Sequence, residues 1–190
     1  MAAFGTSEQR ATYLPEMIGG RMLGAYALSE AQAGSDISGM TTRAKRADHG
    51  YELNGAKAWT THGSCADFYT TFARTGDDPR GGVSCFYVPG HAPGLTFGSP
   101  EHKMGLNGSP TTALYFDLVP VGDGQRIGDE GQGARIALAS LDSGRLGIAA
   151  CATGLAQAAL DLAADYASKR EQFGRPIAEF QGLRFLLADM

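Results

Sequence analysis

The stretch YALSEAQAGSD, residues 26–36, carries an apolar run to one small hydroxyl, Ser29, and then turns through Ala33 and Gly34 to a second, Ser35. Such a turn can aim backbone N–H groups and two hydroxyls at one anionic or carbonyl-rich group, with Gly34 permitting close approach. Taken alone, the stretch reads first as a plain loop in which Ser35 or Asp36 satisfies local backbone groups. A second stretch, LNGAKAWTTHG over 53–63, sets Trp59 and Thr61 two apart, hence on one face of a strand. An indole to pack against a flat ring, with a hydroxyl beside it, suits a flavin; a core tryptophan and a β-forming threonine are the structural alternatives. Farther along, LDSGR (141–145) supplies Asp142 and Arg145, read as buried, and KREQFGRP (169–176) supplies Arg170 and Phe173, read as a helix end. Each of these has a structural reading too, since an arginine at a helix C-terminus is favoured by the helix dipole.

Other chemistries find less support. The sequence has no GxGxxG, GxxxxGK or GxSxG, which sets aside a nicotinamide-binding Rossmann fold, a P-loop and a nucleophile elbow. Cys65, Cys85 and Cys151 form no CxxC pair, and His49, His62, His91 and His102 lack metal-ligand spacing, so no metal site is expected. A net charge of -4 with scattered Lys and Arg argues against nucleic acid as a partner. The first residues, MAAFGTSEQRATYLPEM, have neither the basic start nor the apolar centre of a signal peptide, and no uninterrupted apolar run reaches ~18 residues. The expectation is a soluble, reduced, cytoplasmic protein without a membrane partner.

The elements that must position these residues change character along the 190-residue chain. Thr6 and Gln9 match the S/T-x-x-E/Q capping pattern, which predicts a short helix running toward Gly19-Gly20 in spite of Pro15. From Arg21 to about Val121, short β-branched and aromatic runs bounded by Gly, Pro, Asn and Asp predict strands of an antiparallel sandwich or barrel, with Asn54-Gly55 as a hairpin turn. The 27 glycines, about twice the usual ~7% share, fit a turn-rich β region. From Gly131 to Phe173 the Ala- and Leu-rich pattern without proline predicts one long helix, stopped by Gly174 and Pro176. A second amphipathic helix over 177–190 lines Ile177, Phe180, Leu183 and Leu187 along one face, a stripe expected to need a cover. The fold class is therefore α+β: a β-sandwich or barrel domain followed by the first helices of an up-down bundle. The divisions fall at 1–20, 21–125 and 126–190.

Together and in this order, YALSEAQAGSD, NGAKAWTTHG, HKMGLNGSPT, GDEGQG, LDSGR, GLAQAALDLAADYASKREQFGRPI and FQGLRFLLADM resemble the acyl-CoA dehydrogenase family over nearly the whole chain. The resemblance implies an N-terminal helical domain, a middle β-domain and a C-terminal helical domain holding FAD. Against that plan the chain corresponds to the end of the first, all of the second and part of the third. It implies that Tyr26, Leu28, Ser29, Gly34 and Ser35 line the flavin pyrimidine edge and pyrophosphate, and that Trp59, Thr60 and Thr61 pack along the isoalloxazine. It further implies that Ser35, Asp142 and Arg145 lie near the acyl-CoA, and that Arg170, Phe173 and Gln181 reach the FAD of a neighbouring subunit. An acyl-CoA substrate of short or branched chain, electron-transfer flavoprotein as acceptor, and a homotetramer or dimer follow from the same resemblance.

In the family, a carboxylate base removes the α proton while the β hydrogen leaves as hydride, the cofactor carrying the redox chemistry. Most members place that base in a C-terminal segment corresponding to positions beyond Met190, and some just before the arginine of the LDxxR segment, where this sequence has Gly144. No catalytic base is thus expected among these residues, and the chain by itself is expected to be inactive. A flavin acyl-CoA oxidase or monooxygenase on the same scaffold, and a non-catalytic assembly module, are the alternatives.

Overall fold

The computed structural model describes residues 1–78 and 81–190, which divide into two compact units, Met1–Ala139 and Ser140–Met190. The first unit opens with helix α1 (Ser7–Ile18), whose predicted capping box is present: Gln9 N–H donates to Thr6 Oγ1 at 3.1 Å and Thr6 N–H to Gln9 Oε1 at 2.9 Å. The same Gln9 side chain donates to the carbonyls of Gly124 and Arg126, so one capping residue also fastens the helix to the sheet domain. Gly19 closes the helix.

Strands β1 (Gly24–Ala27), β2 (Arg43–Ala47), β3 (Gly50–Thr61), β4 (Phe68–Arg74), β5 (Val83–Pro89), β6 (Leu95–Phe97), β7 (Thr111–Gly122) and β8 (Arg126–Ile127) form one sheet in the order β6-β7-β3-β2-β4-β5-β8. Pairing is mostly antiparallel; β1 joins β4 in parallel, and β2 meets β4 in parallel through Arg43 and Arg74. Alternate residues Tyr51, Leu53, Tyr69, Phe86, Val88, Leu114, Phe116, Val119 and Val121 supply the buried core. At ~1.5–3 kcal/mol for a fully buried large apolar side chain, this face is the main stabilising element of the unit.

The Asn54-Gly55 hairpin is not formed. The β2–β3 turn is at Asp48-His49, between the paired Ala47 and Gly50, and β3 continues unbroken through Asn54 and Gly55. Gly55 sits at φ 142°, and a Cβ there would lie 2.7 Å from the Thr42 Cα. The glycine is required by the chain passing alongside as it enters β2, a demand that composition renders indistinguishable from a turn.

Helix α2 (Gly133–Lys169) begins in the first unit and continues into the second. It ends four residues short of Phe173, because Phe173 (φ 55°) and Gly174 (φ 74°) form the two-residue turn of a hairpin between β9 (Glu171–Gln172) and β10 (Arg175–Pro176). Two consecutive left-handed residues are the signature of a type I′ turn. A 3-10 turn (Ile177–Glu179) and α3 (Gln181–Asp189) replace the single predicted helix over 177–190. Ile177, Phe180, Leu183 and Leu187 are all half-buried, while Phe185 and Leu186 are exposed. By length and composition α2 could also cross a membrane. Counting uninterrupted apolar runs misses this, because Thr153 and Gln157 break the run without adding charge.

Candidate functional site

Between β1 and β2 the chain makes the long loop 28–42, and two buried cations fasten its ends. Lys57, on β3, donates through Nζ to the Leu28 carbonyl at 3.1 Å and to Glu30 Oε1 at 2.8 Å, and both side chains of this ion pair are at most 2% exposed. Glu30 gathers further donors: Thr42 N–H on Oε1 at 3.0 Å, and Thr41 N–H, Thr41 Oγ1 and Gln32 Nε2 on Oε2 at 2.7, 2.8 and 2.8 Å. Burial alone would raise the Glu30 carboxyl, but the Lys57 ammonium and the hydrogen bonds from Lys57, Thr42 and Thr41 outweigh it and bring it down to about 2. Burial brings the Lys57 ammonium down to about 8 against the pull of Glu30, so the pair is charged near neutrality. At the loop's far end the buried Arg74 guanidinium donates to the carbonyls of Met40, Asp78 and Ser38, holding the 3-10 turn Ile37–Gly39.

What these anchors leave outside is a set of unused donors. The amides of Gly34, Ser35 and Asp36, and the hydroxyls of Ser29, Ser35 and Thr61, find no hydrogen-bond partner among the described residues. A Cβ at Gly34 would meet nothing within 4 Å, so the space beside it is open. The Ser29 carbonyl accepts from Ala58 N–H at 2.9 Å, which brings this edge of the loop against β3 just before Trp59.

Trp59 owes its place to a β-bulge. Between the pairs Lys57–Leu114 and Thr60–Thr112, β3 holds one residue more than β7. Strict alternation from the buried Lys57 would point Trp59 into the core and Thr60 outward. The extra residue inverts this order: Thr60 is 2% exposed, whereas Trp59 is 57% exposed with φ 55° and Thr61 is exposed. One inserted residue moves every later side chain to the opposite face. Trp59 and Thr61 thus share the outward face, where the spacing predicted only a common one and a plain strand would have put both inward. Thr60 is a core residue whose buried hydroxyl has no partner among the described residues.

The remaining predicted residues divide by unit. Tyr26 is half-buried and its hydroxyl donates to the Ala137 carbonyl at 3.1 Å, a bond that pins the start of α2 to β1. Leu28 is buried and contributes backbone. In the second unit Asp142 and Arg145 are exposed and paired with each other at 2.9 Å one helical turn apart; the predicted burial does not hold, because the apolar residues around them also face outward. Arg170 follows the last residue of α2, and its carbonyl accepts from Ile177 N–H across the hairpin base. Phe173 is at the hairpin tip, 86% exposed, rather than at a helix end, and Gln181 opens α3. Gly144 lies within α2 with open space beside it.

Sequence reading misses Glu30, Lys57 and Arg74. One signal was available for Lys57: it falls two residues beyond Gly55 on the inward parity begun by Tyr51 and Leu53, where a lysine demands a buried partner. Among the described residues no group of His, Cys, Asp and Glu could hold a metal ion.

An exposed indole raised on a bulge, with hydroxyls and loop amides that have no partner among the described residues, makes a surface that could take a planar ligand with a polar edge. The family model for the middle domain of acyl-CoA dehydrogenases matches residues 25–119, and that for their C-terminal domain matches 131–190. The chain belongs to the acyl-CoA dehydrogenase family, whose cofactor is FAD. It is 50% identical over 188 residues to an acyl-CoA dehydrogenase of Bacillus subtilis, covering 98% of this chain and 50% of that protein. It is 43% identical over 187 residues to the mitochondrial isobutyryl-CoA dehydrogenase of Bos taurus, covering 98% of this chain and 45% of that protein. The solved butyryl-CoA dehydrogenase of Megasphaera elsdenii superposes with a TM-score of 0.91 at 43% identity, covering 98% of this chain and 49% of that one. The chain therefore spans about half the length of the curated relatives it matches.

Proposed function

We propose that this chain supplies the flavin-cradling part of an FAD-dependent enzyme that dehydrogenates short- or branched-chain acyl-CoA thioesters between Cα and Cβ. The observation that carries the reading is the bulge that turns Trp59 outward beside the free donors of the 28–36 loop. The donor set fits FAD: an aromatic plane for the ring system, hydroxyls at Ser29 and Thr61 for its heteroatom edge, and the unpaired amides of 34–36 for the pyrophosphate. When bound, FAD supplies the hydride acceptor for the reaction.

The chain's own residues position and exclude. Trp59 would cover one side of the ring against water, Thr61 and Ser29 would donate to it, and Ser35 would sit where cofactor and thioester meet. Asp142, Arg145, Arg170, Phe173 and Gln181 are assigned contacts with the CoA portion and with a neighbouring subunit's cofactor, in a homo-oligomer that passes electrons to an electron-transfer flavoprotein in the cytoplasm. The α proton is assigned to a carboxylate outside these residues, since Gly144 offers none.

The test is the visible absorption spectrum of the purified chain with FAD, followed by butyryl-CoA under anaerobic conditions. Flavin retained through gel filtration, with a shifted band on adding the thioester and no bleaching, is the expected result. A protein that retains no flavin would overturn the cradle, and bleaching by substrate would reveal a base among these residues.

A further inference from the structure

The Glu30–Lys57 pair has no place in the reaction just described, yet it joins the two halves of the cradle. On one side Lys57 Nζ holds the Leu28 carbonyl and Glu30, the two residues that bracket Ser29. On the other, Lys57 stands two positions before Trp59 on β3. Glu30 extends the connection through the loop to the amides of Thr41 and Thr42, and Ala58 N–H closes it on the Ser29 carbonyl. Every one of the donors converging on Glu30 leads back to the loop or to β3.

We propose that Glu30 and Lys57 are positioning residues that fix the distance between the 28–36 loop and the Trp59–Thr61 segment, and so set the affinity of the cradle for FAD. This rests on the functional reading above for its ligand, though the clamp itself is a property of the apoprotein. A hydrophobic pair of similar size could fill the same volume, and replacing buried ion pairs in this way is often neutral for stability. Such a pair offers no acceptor to Thr41 N–H and Thr42 N–H and no donor to the Leu28 carbonyl. Stability and positioning can therefore be separated.

The experiment compares the chain with its Lys57→Met, Glu30→Met/Lys57→Met and Thr41→Val variants. Thr41 is exposed, so Thr41→Val removes one donor on Glu30 without burying a lone charge and keeps the comparison alive if Lys57→Met fails to fold. Hydrogen exchange of the apoprotein is read at the amides of Ala33, Thr41, Thr42 and Ala58 against those of β4 and β5, and FAD binding is read by quenching of flavin fluorescence. The expected result is loss of protection by about tenfold or more at the loop amides with β4 and β5 unchanged, first in the double variant. FAD affinity is expected to fall by about tenfold or more even where the melting temperature recovers. Loop amides that keep wild-type protection in the double variant, or an FAD affinity within about twofold of wild type there, would overturn the proposal. If the unmutated chain binds no FAD, the functional reading fails, and the exchange data still decide the clamp.

Discussion

Replacing Glu30 by Gln tests the ion pair where electrostatics gives a sign as well as a size. Oε1 accepts from Lys57 Nζ and Thr42 N–H, and Oε2 accepts from Thr41 N–H, Thr41 Oγ1 and Gln32 Nε2. Every neighbour is a donor. Whichever way the glutamine amide is turned, its NH2 faces at least two other donors, and Lys57 loses its counter-charge inside the protein. Breaking a buried pair in this way costs about 3–5 kcal/mol. The pH dependence gives a second estimate: a carboxyl lowered from 4.5 to about 2 by folding corresponds to about 3 kcal/mol. Because the folded-state value lies below the unfolded one, this stabilisation is fully present above about 4.5 and is lost as the pH falls through the folded value near 2. Urea unfolding of wild type and Glu30→Gln, followed by circular dichroism, should therefore show a gap of about 3 kcal/mol near neutrality that narrows steadily below about pH 4.5. A gap under about 1 kcal/mol, the level of an exposed pair, or one that stays constant into acid, would refute the reasoning.

Gly55→Ala should cost about 3 kcal/mol in the same assay, since the new Cβ meets the Thr42 backbone at 2.7 Å in a conformation that side chains rarely adopt; an open hairpin turn at 54–55 would lose only about 1 kcal/mol, the cost of a left-handed alanine. Trp59→Gly should be more stable than Trp59→Ala by about 1 kcal/mol, inverting glycine's usual disadvantage in a strand, because φ at this residue is 55°. Both Trp59 variants should lose flavin binding in a fluorescence titration. Gln9→Ala should destabilise by about 2 kcal/mol in thermal or urea unfolding, through loss of the capping box and of the bonds to the Gly124 and Arg126 carbonyls.

Features written in local sequence were legible in advance. The Thr6–Gln9 cap, the strand-rich middle and the long Ala- and Leu-rich helix α2 depend on neighbours a few residues away, and propensity and periodicity report such neighbours well. The clamp depends on Glu30 meeting Lys57 from 27 positions away, and no local pattern joins them. Spacing anticipated that Trp59 and Thr61 share a face but not which one, because the extra residue that turns them outward cannot be read from one strand alone. Gly55 and Gly174 show the same ambiguity from two sides: one glycine beside asparagine serves a close approach within a strand, while the other ends not a helix but a tight hairpin. The exposure of Asp142 and Arg145 is set by what packs around α2, which their own neighbours in sequence do not specify.

The bulge beneath Trp59 is one of two. Between the pairs Leu53–Val119 and Gly55–Phe116 it is β7 that holds the additional residue, at the left-handed Leu118, and the register lost there is regained at Trp59. The two irregularities cancel, so the strands meet in the same alignment at both ends. For the gene this means that either extra codon can be lost without moving the pairs on both sides of its bulge. Deleting the codon for Ala58 alone would leave the indole next to the inward Lys57, on the outward face but without the extra residue that raises it, and deleting the codon for Leu118 alone would straighten β7 opposite Asn54. Removing both together would restore a continuous ladder with Lys57 and Thr60 still inward and the indole between them outward. A lineage can keep the fold and its faces along that path, and loses only the kink and positive φ that set the angle of the indole.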